Sequence, residues 1–234
     1  MHSDNVNVVL VHGAWADGSS WAKIIRPLAT DGIGTVAVPL PLTSFQDDVA
    51  ALDRALERVP GPVVLAGHAY AGAVIAATRS DRVRALVYVA ALAPDEGETV
   101  ADVFYRSEPH PQAPKLAPDD HGLIYLPHEA FAAAFAQNAT AEELAVLAAV
   151  QRPISPACIT VPAPRPLWKD RPAWFLVAEQ DRMIVRDNQR FMAERMMARV
   201  RSHAVDHTPI VTAPVAVLDV LREAIEAVRA ESTA

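Results

Sequence analysis

Short, unbroken apolar runs alternate along this chain with stretches of helical spacing, and that alternation constrains the fold more than any other feature. The runs 6–12, 34–40, 62–66, 83–90 and 172–178 are rich in Val, Ile, Leu and Ala and are closed by glycine, proline or charged residues. Strands that read as continuous apolar runs belong to a parallel sheet buried on both faces. Between them, 20–30 places Trp21, Ile24, Ile25 and Leu28 on one helical face, and 47–59 does the same with Val49, Leu52, Leu56 and Val59. Helices are expected again at 187–197 and 214–230, the last with Pro214 at its first position, and a short strand at 201–205. The order predicts an α/β fold with a mostly parallel central sheet flanked by helices.

The rhythm breaks between about 94 and 170, where prolines are dense. A helical pair stands out there, 128–137 and 140–151, the second opened by Thr140 with Glu143 in the capping-box position. This stretch is expected to be a mainly helical cap inserted into a single domain of 234 residues. The net charge of −7, with no basic stripe, argues against a nucleic-acid partner. No apolar run is long enough to span a bilayer, and the polar start Met1-His2-Ser3-Asp4-Asn5 has no signal-peptide pattern, so a cytoplasmic protein without a membrane partner is expected. Cys158 is the sole cysteine, which excludes a disulfide framework and a cysteine-based zinc site; no metal and no cofactor are expected. The acidic group Asp95, Glu96 and Glu98 reads as a solvated loop. A homodimer is left open.

The run 62–66 continues into Gly67-His68-Ala69-Tyr70-Ala71-Gly72 and a helix of small residues. A strained strand-to-helix turn of this kind, in the pattern G-x-S-x-G, presents a nucleophilic serine at the top of a sheet. Here Ala69 occupies the serine position, and alanine has neither a proton to lose nor a lone pair to attack with. Ala71 also departs from the pattern, standing where glycine is usual. Further along, Asp181 follows a buried strand at the edge where parallel sheets place their sites. His207 lies in a loop before the last helix, and Asp187 and Asp206 are rival acids.

Four stretches in this order resemble the α/β-hydrolases, and within them the small group of plant methylesterases, hydroxynitrile lyases and their bacterial relatives. They are Val9-Leu10-Val11-His12-Gly13-Ala14-Trp15, the turn from Gly67 to Gly72, Phe175 to Ile184 with Asp181, and Asp206-His207-Thr208-Pro209. The resemblance covers nearly the whole chain. It implies His207 as general base, Asp181 as the acid that orients it, and the backbone amides of Ala14 and Tyr70 as an oxyanion hole. Trp15, Phe104, Tyr125, Phe131 and Trp168 are candidate walls of a pocket for a small-molecule substrate, with plain core packing as the competing reading for each. His12 and His68 are expected to support the turns rather than react.

The resemblance implies action on a small carboxylic ester or related acyl compound, whereas Ala69 removes the covalent step. Loss of such a serine costs about six orders of magnitude in kcat and leaves roughly 10³–10⁴ over water. Three readings stay open. The chain is a hydrolase whose nucleophile was replaced, or it is an enzyme in which His207 and Asp181 act on substrate or water without a serine, or it is a binding protein with a silent site.

Overall fold

The five apolar runs and the short strand expected near 201–205 form one six-stranded, all-parallel sheet in the computed structural model, which describes residues 6–232. The polar start at 1–5 lies outside the described residues. The strands are β1 (Asn7–Val11), β2 (Thr35–Val38), β3 (Val63–His68), β4 (Val83–Val89), β5 (Ala173–Ala178) and β6 (Arg199–His203), in the spatial order β2-β1-β3-β4-β5-β6. In register, Val9 faces Val36 on one side and Leu65 on the other, and Val87 lies between Ala66 and Trp174. Strands β3 and β5 are buried at every position, which is why they carry no polar alternation.

The helices are α1 (Ala22–Thr30), α2 (Phe45–Glu57), α3 (Ala71–Ala77), α4 (Val100–Phe104), α5 (His128–Ala130), α6 (Ala141–Ala149), α7 (Arg186–Arg195), α8 (Pro209–Thr212) and α9 (Pro214–Ser232). Helix α9 packs on β3, β4 and β5 and against α1, while α2 and α3 pack on each other. Ser44 caps α2 by accepting the Asp47 amide at 3.1 Å. Thr140 and Glu143 form the capping box of α6 in both directions.

The structure departs from the sequence reading in three places. Strand β6 begins two residues earlier than 201, because this edge strand is exposed and charged and offers no apolar pattern to set its bounds. The helix expected over 128–137 is a single α-turn followed by a π-helix over Phe131–Phe135. The stretch 105–127 holds no helix. Pro109, Pro111, Pro114 and Pro118 interrupt it, and each lacks the N–H that a helix interior requires. The segment between β4 and β5 is therefore less helical than its expected description. Its one pairing is an antiparallel bridge between Ile124 and Ile154. No strand of the main sheet falls within it.

Candidate active site

The turn after β3 places Ala69 at φ +51°, the left-handed region that costs a non-glycine residue about 1–2 kcal/mol. The surroundings hold it there. The Ala69 amide donates to the Val89 carbonyl at 3.3 Å, and the Ala69 carbonyl accepts from Leu92 at 2.9 Å and Gly72 at 3.1 Å. The close approach behind the turn is made at Gly72, whose missing Cβ would lie 2.3 Å from the Leu92 carbonyl oxygen. This explains why a methyl at Ala71 is tolerated. Across the turn, a Cβ on Gly13 would sit 2.9 Å from Ala69 Cβ and 3.5 Å from the Tyr70 nitrogen, so the loop after β1 touches the turn directly. Ala14 and Tyr70 thus lie on adjoining loops. Among the described residues, neither backbone amide donates to another protein group.

Asp181 and His207 meet at the carboxyl ends of β5 and β6. His207 Nδ1 donates to Asp181 Oδ2 at 2.8 Å, with both side chains buried. Asp181 Oδ1 accepts the amides of Met183 (2.7 Å) and Ile184 (2.8 Å), and Oδ2 also accepts Gln189 Nε2 (2.8 Å). Four donors therefore converge on this one carboxylate and fix its orientation. With the Nδ1 proton committed to Asp181, the Nε2 of His207 carries the lone pair. The rival acids do other things. Asp206 accepts from the Asn138 amide (2.9 Å), the Thr208 amide (3.2 Å) and the Thr212 hydroxyl (2.5 Å), tying the histidine loop to the segment between β4 and β5. Asp187 is exposed beside Arg186.

His68 donates from Nε2 to the His207 carbonyl at 2.7 Å and so holds the histidine loop against the turn. Burial, followed by the neighbouring His207, lowers its pKa to about 3, so it is neutral. Phe135 lies against His207 at 5.3 Å between ring centres. His12 donates from Nδ1 to the Gly13 carbonyl (2.8 Å) and accepts the Leu40 amide (3.0 Å), and burial keeps it uncharged as well.

Ala69, His207, Ala14 and Tyr70 open onto a cavity of about 90 Å³. A water needs about 10–15 Å³ on this measure, so the space suits an organic molecule of modest size. Its remaining walls are largely aliphatic and aromatic, among them Trp15, Leu92, Phe104, Leu116, Ile154 and Ile159. Of the candidate walls, Trp15 and Phe104 line the cavity and three do not. Tyr125 is 47% exposed, because the bridge at Ile124 turns that residue inward and its neighbour outward. Phe131 packs edge-on against Phe135 at 5.4 Å, one layer behind. Trp168 is buried in a short turn that packs against α3. The aliphatic walls escaped the sequence reading because they come from irregular segments with no periodicity to mark them. Gln189 also escaped it. Its only signal is a polar residue on the inward face of α7, beside Met192 and Ala193.

Two members of the acidic group near the start of α4 form ion pairs, while Glu96 is exposed. Asp95 meets Lys169, and Glu98 meets Arg195 at 2.7 Å. Among the described residues no cluster of His, Cys, Asp and Glu could hold a metal, and no helix is long and apolar enough to cross a membrane.

The fold agrees with comparison to known proteins. The sequence profile of the alpha/beta hydrolase family matches residues 8–220, and the chain belongs to that family. No curated protein matches the chain by sequence. Solved structures with the same fold include a pyrethroid hydrolase from Sphingobium faniae JZ-2, with a TM-score of 0.81 and 21% identity over 95% of this chain and 98% of that one. A methylesterase from Arabidopsis aligns with a TM-score of 0.77 and 17% identity over 94% and 99%. A histidine variant of tomato methylketone synthase I, complexed with beta-ketoheptanoate, aligns with a TM-score of 0.80 and 17% identity over 96% and 99%.

Proposed function

We propose that this chain is an enzyme of the α/β-hydrolase family that works without a nucleophile, with His207 and Asp181 moving a proton on a small apolar carbonyl compound. One observation carries the reading: an acid–base pair with every hydrogen bond in place stands beside a nucleophile position that presents only a methyl. In this reading the amides of Ala14 and Tyr70 hold a developing oxyanion, and the apolar walls exclude water, which strengthens both interactions.

Chemistry of this kind needs a reaction whose intermediate is an enolate. A β-keto acid fits, and the tomato methylketone synthase variant is a neighbour complexed with such a compound. His207 Nε2 takes the carboxyl proton. The bond to the carboxyl carbon then breaks, its electron pair passes to the ketone oxygen, and carbon dioxide leaves. The enolate oxygen rests on the two amides, and the α-carbon recovers the proton from Nε2. The products are a methyl ketone and carbon dioxide. A carboxylate in walls this apolar is poorly solvated, which favours its loss.

The second reading is a small-ester hydrolase whose serine has been replaced. The left-handed backbone at Ala69 favours it, since that conformation serves to present a nucleophile. One experiment separates the two. The chain as written, Ala69→Ser and His207→Ala are assayed on medium-chain β-keto acids and on para-nitrophenyl esters. Serine-free chemistry gives methyl ketone from the parent chain and none from His207→Ala. The ester reading gives no ketone, and ester turnover that rises by several orders of magnitude in Ala69→Ser. No activity in any of the three chains leaves a binding protein.

A further inference from the structure

The proposed reaction makes no use of the carboxylate of Asp48, which is completely buried on α2. A buried carboxylate is costly unless its oxygens are satisfied. Here three separate stretches of chain satisfy it. The Leu42 amide donates to Oδ1 at 2.7 Å. The Tyr70 hydroxyl donates to Oδ2 at 2.8 Å, and the Cys158 thiol reaches the same oxygen at 3.6 Å. Burial pushes the thiol up to about 12 and raises the Tyr70 phenol as well, so both stay protonated and remain donors.

What these donors belong to gives the cluster its meaning. Tyr70 is the residue after Ala69, its amide is one of the two placed for an oxyanion, and it also lines the cavity. Cys158 precedes Ile159, another wall. Leu42 joins the two, because its carbonyl accepts the Ser155 amide at 3.0 Å in the same stretch that leads to Cys158. The backbone of the turn is held from one side by β4 and its following loop, through Val89 and Leu92. On the other side, the phenol of Tyr70 is the tether.

We propose that Asp48 is a positioning residue of the oxyanion site. It holds Tyr70 by its hydroxyl so that the Tyr70 amide stays aimed into the cavity, and it ties the 155–159 wall to the same point. This rests on the reading of Ala14 and Tyr70 as oxyanion donors. It assigns the Tyr70 side chain a role separate from that of its backbone.

The test uses ligand binding, so it does not depend on turnover. Para-nitrophenolate carries an anionic oxygen on an apolar ring, and its absorbance reports its ionisation; acetophenone is a neutral carbonyl of similar shape. Both are titrated into the parent chain, Tyr70→Phe and Asp48→Asn, with folding checked by circular dichroism. Tyr70→Phe keeps ring and amide and removes only the tether. It is expected to weaken para-nitrophenolate about tenfold, a fraction of what the loss of an oxyanion donor brings, and acetophenone less than about twofold. Asp48→Asn, which leaves a single acceptor oxygen for the Leu42 amide and the Tyr70 hydroxyl to share, should fall between parent and Tyr70→Phe. If Asp48→Asn does not fold, Tyr70→Phe decides alone. Equal weakening of both ligands makes the cluster a plain wall support and overturns the proposal. So does para-nitrophenolate binding unchanged from the parent. A parent chain that shows no preference for para-nitrophenolate over acetophenone removes the oxyanion site itself, and the proposal with it.

Discussion

Gln189→Leu should destabilise the protein more than any surface change, and the size of the effect can be worked from its hydrogen bonds. Gln189 donates from Nε2 to Asp181 Oδ2 at 2.8 Å and to the Ile184 carbonyl at 2.7 Å, and its Oε1 accepts the Ala178 amide at 3.0 Å. Leucine has similar volume and none of these groups. The bond to the carboxylate is charge-assisted and contributes about 1.5–3 kcal/mol, and each backbone group left buried without a partner costs at least about 1 kcal/mol. The extra apolar surface of leucine returns about 1 kcal/mol. The net loss is then about 3 kcal/mol, equivalent to a fall in Tm of about 6–12 °C for a chain of this size. Urea titration followed by tryptophan fluorescence measures it, as a lower midpoint with an unchanged slope. Gln189→Glu serves as the partner experiment. It keeps the acceptor for Ala178 but sets a second carboxyl against Asp181. Its deficit should be larger at neutral pH than under mildly acidic conditions, where one shared proton relieves the repulsion. A Gln189→Leu chain within about 1 kcal/mol of the parent would show that these bonds are dispensable and that Asp181 is held by its own loop alone.

Three further outcomes are expected. Gly72→Ala drives a methyl to 2.3 Å from the Leu92 carbonyl oxygen, a backbone atom that cannot swing away, so it should cost about 3 kcal/mol or more in urea, while Gly122→Ala, with open space around it, should cost only the strain of its positive φ. Stability should fall with acid partly through His68. Its folded pKa of about 3 lies below the ordinary 6.5, so protonation favours the unfolded chain; the contribution is complete above about pH 6.5 and is lost as pH drops toward 3. Between about pH 6.5 and 5 the parent should lose about 2 kcal/mol more than His68→Asn, and parallel pH profiles would contradict this. Finally, Phe104→Ala should weaken acetophenone binding measurably, whereas Tyr125→Ala should leave it unchanged; the reverse order would misplace the cavity wall.

What could be read from the sequence alone is whatever short-range rules specify. The parallel sheet was legible because a strand buried on both faces reads as a nearly unbroken apolar run, as β5 does throughout and β3 does up to Gly67-His68 at its end. The capping box of α6 was legible because its two partners are three residues apart. The candidate positions Ala69, Asp181 and His207 could be picked out because each follows the end of a strand in a fixed chain order, and those strand ends lie at one edge of the sheet. The tertiary structure decided everything that depends on which distant residues meet. Gln189 on Asp181 and Asp48 on Tyr70 are polar residues within helices, and their patterning does not distinguish a buried partner from a solvated face. The cavity walls could not be ranked, because Ile124 and Tyr125 are adjacent and each is large enough to form a wall, and only the bridge to Ile154 determines which one faces inward. The proline-broken stretch has no period at all. Its shape comes from hydrogen bonds to the sheet domain, such as Trp15 to the carbonyls of Arg152 and Ile124 and Asn138 to Asp206, each spanning tens of residues or more. Such contacts form only once the sheet has brought their partners together.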